Sequence, residues 1–239
     1  MTKVVLEVQD VSPFLDQAKL AIFTESLPEA RKKRVLAPHK PIDRARRAAA
    51  EMALKRALKA FDIPYRALVL GYLENGKPYV KSPNNLYISF THAGLLSCVL
   101  LVKSNTPLQV GVDMEEMRET PRHAALAERY FSADMLTAYM GVSESERERA
   151  FLFLWTKLEA LAKMDGAGVG MHLGKVNFPS NVFTTSYATI DALGGLYIIS
   201  VCADQNIFPE NTSFPPHSLA IAKAICYNKG VNTRKEQII

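Results

Sequence analysis

The chain has 239 residues, 48% hydrophobic and 22% charged, the composition of an ordinary globular protein with one large core or two smaller ones. Its net charge of +5 makes the surface mildly basic, which favours an anionic partner without naming one. The longest apolar run, Gly94 to Val102, falls far short of the ~20 residues that span a bilayer, and the opening MTKVVLEVQD lacks the apolar core of a signal peptide. Cys98, Cys202 and Cys226 are odd in number and widely spaced, which argues against a disulfide framework or a zinc site and for reduced, buried thiols in a cytoplasmic protein.

In chain order, an extended opening is followed by a short helix over Pro28 to Lys33. Pro38 and Pro41 break the chain, and Asp43 is placed to cap the next helix, RARRAAAEMALKRALKAF. Ala50, Leu54, Ala57, Leu58 and Phe61 form its apolar stripe. Asn75-Gly76 between two extended runs predicts a hairpin, and strands are expected at Asn85 to Phe90, Leu95 to Val102 and Leu108 to Met114. In the second half Thr120 and Pro121 read as the cap and first position of a helix. Ser143 and Glu146 read as a capping box opening ERERAFLFLWTKLEALAKM, which stops at the glycine-rich DGAGVG. Strands are expected at Gly195 to Ala203 and Ser218 to Cys226, with a looser one at Phe183 to Ile190, before a frayed tail. Helices and hairpin-linked strands in both halves predict an α+β fold with largely antiparallel sheets.

Chemistry concentrates in a few places. In PLQVGVDMEEM, Asp113 and Glu115 stand at i and i+2, so in a strand both carboxylates face one spot. Like charges so placed need a metal ion, a basic side chain or plain solvent between them. Glu159 and Lys163 are one helical turn apart beside large apolar residues, either an exposed ion pair or charges with a reason to sit at a buried face. His92 follows a strand in SFTHAG, Lys77 lies in the hairpin NGKPYV, and basic residues gather in EARKKR and RARR; each admits a purely structural reading. GAGVG has neither the strand before it nor the GK[ST] after it of a nucleotide loop.

The order of these pieces carries more than any one of them. The hairpin GKP, then ISFTHAG, GVDMEE, MRETPRHAALAERYFSADM, and WTKLEALAK followed by GAG resembles the 4′-phosphopantetheinyl transferase family, in its larger type of roughly 230 residues. The resemblance runs from about Pro28 to Gly170. It implies transfer of the 4′-phosphopantetheine arm of coenzyme A to a serine of an apo acyl or peptidyl carrier protein, with release of 3′,5′-ADP. It implies a pseudo-dimer of two similar α+β halves, here 1–107 and 108–228 ahead of the tail 229–239.

By position, Asp113, Glu115 and Glu159 would hold Mg2+ (Mn2+ also suits such oxygen ligands), with Glu159 taking the proton of the attacking serine and Lys163 stabilising the leaving group. Thr91 and His92 would contact phosphates, and Lys33, Arg47 and Lys77 the 3′-phosphate of the nucleotide. Neither nucleic acid nor membrane is an expected partner. The sequence departs from the family pattern where K-E-A becomes Leu158-Glu159-Ala160 and where Thr91 replaces the usual serine. A weakened or narrowly specific paralogue, a metal-dependent nucleotide phosphoesterase and a nucleic-acid-binding module are the competing readings.

Overall fold

The structure, a computed structural model, describes residues 2–166, 181–190 and 193–208. The expected strand over Ser218 to Cys226, the tail and most of GAGVG lie outside the described residues.

The first part of the chain runs β1 (Lys3–Asp10), α1 (Gln17–Glu25), α2 (Glu29–Leu36), α3 (Pro41–Lys59), β2 (Val69–Tyr72), β3 (Pro78–Ser82), β4 (Leu86–Ala93) and β5 (Leu96–Lys103). The second runs β6 (Val110–Glu116), α4 (His123–Tyr130), α5 (Ala133–Met140), α6 (Arg147–Asp165), β7 (Phe183–Ile190) and β8 (Leu196–Ala203). Two three-stranded antiparallel sheets form, in the orders β1-β5-β4 and β6-β8-β7, and β2 and β3 make a separate two-stranded hairpin. Each three-stranded sheet therefore has its first strand, its third and its second in that spatial order, with helices between the first and second. The expected α+β architecture with antiparallel sheets is the one observed.

Period-two alternation sorts each strand between two cores. Leu6, Leu100 and Val102 from one sheet meet Val112, Met114, Ile199 and Val201 from the other in a shared inner core. On the outer face of the first sheet, Leu54, Ala57 and Leu58 of α3 pack on Val99 and Leu101. α6 covers the outer face of the second sheet, where Leu158 joins Phe131, Phe151 and Ile198. The central strand β5 is covered on both sides, which is why it reads as an unbroken apolar run. Among the described residues no helix is long and apolar enough to cross a membrane.

Edge strands β4 and β6 meet where the two sheets join. Side chains stitch them: the Val112 N–H donates to Ser89 Oγ (3.1 Å), and the Thr91 hydroxyl donates to Asp113 Oδ1 (3.0 Å).

Several local expectations need correction. α1 carries too weak a stripe to be read, since Leu20 and Phe23 are buried while Ile22 is 74% exposed. α2 begins and ends later than expected, at Glu29 and Leu36. α3 starts at Pro41, whose ring fixes φ for the first turn, so Asp43 lies inside that turn and favours the positive end of the helix dipole without capping it. Thr120 does not cap α4; its carbonyl accepts from His123 N in a turn, and Arg122 holds the cap position. Ser143 and Glu146 do pair, but hydroxyl to carboxylate (2.6 Å) within a short 3-10 turn that leads into α6. α5, capped by Ser132 Oγ, was not expected. Gly166 ends α6 in the left-handed conformation, as its glycine-rich stop predicts.

Candidate functional site

Strand β6 and helix α6 build the site together. Gly111, Asp113 and Glu115 share the face of β6 turned toward α6, opposite the inner-core residues Val110, Val112 and Met114. Gly111 lets the helix come very close: a Cβ there would overlap the Ala160 carbonyl oxygen and lie 2.5 Å from Met164 N. That approach brings Glu159 and Lys163 over the strand end.

Ligand atoms of Asp113, Glu115 and Glu159 lie within 4.8 Å of one another. Asp113 is 2% exposed. Its Oδ1 accepts from Lys163 Nζ (2.5 Å) and from the Thr91 hydroxyl, and Lys163 also donates to Thr91 Oγ1 (3.0 Å). Its Oδ2 is buried and has no hydrogen-bond partner among the described residues. A buried acceptor without a donor is costly, so this oxygen fits a cation better than solvent or a side chain. Two further carboxylates at this spacing complete an oxygen donor set suited to a hard divalent ion.

Electrostatics agree with that fit. Burial first, then the Asp113 charge, pushes the Glu115 carboxyl up to about 7. Glu159 shifts in the same direction for the same causes, partly offset by Lys163. The Trp155 indole N–H favours the charged form of both carboxyls, a smaller effect opposing the shift, and its ring stacks on Phe151, with ring centroids 5.6 Å apart. Between about pH 5 and pH 7 these two carboxyls thus hold more protons in the folded state than in the unfolded chain, outweighing the opposite effect of His92. Stability of the cation-free protein is therefore expected to fall as pH rises from about 5 to about 7.5 and then level off. Thermal melts in chelator should show this slope, reduced in Glu115→Gln and reversed by added divalent cation; a wild-type profile that rises through the window would refute the assignment.

The remaining sequence-predicted residues are placed less uniformly. His92 follows Thr91 on β4 and is exposed to solvent at the strand's end. Partial desolvation, with the Arg46 and Lys163 charges, holds its imidazole below the usual range, so it is neutral at pH 7. Lys33 is exposed and pairs with Glu29 (3.7 Å), and Arg47 donates to the Arg34 carbonyl (2.7 Å); neither is brought to the carboxylates. Lys77 donates to the Met164 carbonyl at the end of α6 and lines a cavity of about 290 Å³ with Tyr79, Tyr87 and Gln109. Leu158, at the K-E-A lysine position, is fully buried, and the Lys157 ammonium lies 4.3 Å from the Phe153 ring centroid.

Two residues escaped the sequence reading. Arg46 donates to the Gly94 carbonyl (3.0 Å) and adds positive charge near His92, and the Trp155 indole lies near enough to Glu115 and Glu159 to favour their charged forms. Both had a signal: Arg46 is one turn before Ala50, which heads the apolar stripe expected of α3, and Trp155 is one turn before Glu159.

Acidic oxygens gathered around a lysine at a strand-helix junction have the make-up of a site for a divalent cation with a polyphosphate. Residues 109–210, which contain β6 and α6, match the family model of the 4′-phosphopantetheinyl transferase superfamily. The chain is also 27% identical over 150 residues to a 4′-phosphopantetheinyl transferase of Bacillus pumilus, covering 62% of this chain and 61% of that protein. It is 27% identical to one of Bacillus subtilis, covering 58% and 64%, and 23% identical to the 4′-phosphopantetheinyl transferase Sfp of Bacillus subtilis strain 168, also covering 58% and 64%. The chain is thus similar to 4′-phosphopantetheinyl transferases, the family its motif order resembles, and the matched part spans about three fifths of the curated relatives' length.

Proposed function

We propose that this protein transfers the 4′-phosphopantetheine arm of coenzyme A to a serine of an apo acyl or peptidyl carrier protein and releases 3′,5′-ADP. The observation that carries the reading is the cluster of Asp113, Glu115 and Glu159 with one orphaned buried oxygen, set on the segment that matches the superfamily. Asp113, Glu115 and Glu159 are the residues that would hold Mg2+, with Mn2+ as a substitute, and when bound it would neutralise charge developing on the pyrophosphate.

The chain's own groups have separate tasks. Glu159, its carboxyl shifted toward neutral pH, is suited to accept the proton of the attacking serine hydroxyl. Lys163 brings a positive charge to the same point and can turn from Asp113 to a phosphate oxygen of the leaving group. Neutral His92 donates one ring N–H to a phosphate, and the Thr91 hydroxyl orients Asp113 and Lys163 together. Lys33, Arg47 and Lys77 remain proposed contacts of the nucleotide 3′-phosphate.

The two halves, 1–107 and 108–228, are proposed as a pseudo-dimer, supported by the common strand order of their sheets. A cytoplasmic setting is proposed as well; Cys98 and Cys202 are buried and unpaired, and burial raises both thiol pKa values. A weakened or narrowly specific transferase is the second reading, favoured by the burial of Leu158 where the family pattern has a lysine.

Intact-mass spectrometry of apo carrier proteins incubated with coenzyme A, Mg2+ and this protein tests the proposal. One added phosphopantetheine arm, lost with chelator, is expected. No gain on several carriers, with folded protein that binds coenzyme A, would favour the second reading. Nucleotide hydrolysis without a protein acceptor would overturn the proposal in favour of a phosphoesterase.

A further inference from the structure

The tip of the β2–β3 hairpin reaches across the molecule to the end of α6. Inside the hairpin, Lys77 N donates to Asn75 Oδ1 (3.0 Å), and the turn is closed by Gly76 N to the Leu73 carbonyl (2.8 Å). The other end of the same amide, Asn75 Nδ2, donates to the Gly166 carbonyl, and Lys77 Nζ donates to the Met164 carbonyl. These carbonyls lie at the C-terminal end of α6, where helix carbonyls lack intrahelical donors and where positive charge complements the helix dipole. Gly166 leaves room for the contact: a Cβ there would lie 2.9 Å from Asn75 Nδ2 and 3.1 Å from Lys77 Cδ, on a residue with φ of +77°.

The capped turn is adjacent to the chemistry. Lys163, which holds Asp113 Oδ1, immediately precedes Met164, and Glu159 lies one turn back. A two-stranded hairpin has little stability of its own, so contacts at its tip that end on a packed helix fix both partners. We propose that Asn75 is a positioning residue: with Lys77 it clasps the C-terminus of α6 and thereby holds Glu159 and Lys163 against Asp113. The clasp ties the hairpin of the first half to the acid-bearing helix of the second. Burial lowers the Lys77 pKa, while Asp165 and Asp204 oppose that shift, so the ammonium sits in partly acidic surroundings beside the helix end.

The effect on turnover rests on the transferase reading, whereas the clasp does not, and two variants separate them. Asn75→Asp keeps the acceptor for Lys77 N but loses the donor to Gly166, and Asn75→Ala loses both. Hydrogen exchange of the amides over residues 160–166 reads the helix end directly. Mn2+ titration followed by quenching of Trp155, the sole tryptophan of the sequence, reads the carboxylates. Expected in both variants are faster exchange in the last turn and a Mn2+ midpoint raised about tenfold, as for loss of a residue that orients metal ligands. Transfer should show a kcat lower by about tenfold with the coenzyme A KM unchanged.

Unchanged exchange and an unchanged Mn2+ midpoint in both variants would overturn the clasp. A rise in the coenzyme A KM alone would also overturn it, because Asn75 would then act on the ligand. If exchange and midpoint shift while the wild-type protein transfers nothing to any carrier, the clasp stands and the transferase reading falls.

Discussion

Asp113→Ala is expected to lower transfer on the order of a thousandfold, the loss seen when a preorganised charge is removed from a reacting centre. Its side chain does two things at once. Oδ1 gathers Lys163 and Thr91, and Oδ2 is the buried acceptor that nothing in the described structure satisfies. Without it, Glu115 and Glu159 lose their third oxygen partner and Lys163 loses its ion pair, so both the cation and the phosphate-facing lysine are misplaced. The check is a kcat measurement at saturating Mg2+, with the melting temperature followed alongside. Turnover near the wild-type level would sink the assignment of Asp113 to the cation. Asp113→Asn serves as the control for shape; it keeps the volume but removes the charge and should be almost as inactive.

Gly111→Ala is expected to be comparably damaging from a position that touches no reactant. A new methyl would meet the Ala160 carbonyl oxygen, Met164 N at 2.5 Å and Met164 Cα at 3.0 Å, all backbone atoms of one helix. Backbone cannot rotate away as a flexible side chain can, so α6 has to lift from β6. The cost in stability should be about 3 kcal/mol, at the upper end for overpacking. A shift of about 1 Å in the helix would lower kcat by roughly a hundredfold through misplacement of Glu159 and Lys163. Chemical denaturation and kcat measured on the same preparation test both halves of this expectation. A variant with unchanged stability and turnover would mean that α6 does not depend on the close approach at Gly111.

What the sequence disclosed about this site follows the range of the forces involved. Asp113 and Glu115 were readable as partners because strand period is local, and Glu159 with Lys163 because helix period is local. Their meeting was not readable from either period, since it depends on β6 lying beside β4 and under α6. The ion pair that forms is Lys163 with Asp113, fifty residues apart, not a surface pair with Glu159 one turn away. Thr91 was placed by motif order, and its hydroxyl meets Asp113 across the seam; His92, the next residue of β4, is exposed.

The basic residues behaved differently. EARKKR and RARR contain several candidates each, and only helix phase separates Arg46, turned to the Gly94 carbonyl, from exposed Arg47. The hairpin was evident from Asn75-Gly76, but nothing local says that its tip reaches α6. α1 was missed because a helix with an exposed isoleucine on its outer side and few apolar residues inside has almost no pattern to read.

The seam between β4 and β6 also bears on how the chain stays in solution. An outer strand of a sheet presents unpaired amides and carbonyls to any other strand that passes, and proteins survive by hiding or blunting such edges. Here two of them face each other, bridged by Ser89 and Thr91 in place of a full ladder. Because β5 leads directly to β6 through the short stretch after Lys103, the two edges are delivered together during synthesis and neither waits long for cover. A chain cut in that stretch would release both edges at once. Each fragment alone would offer a sticky border to its own copies, whereas the fragments made together would find in each other the cover that the intact chain provides.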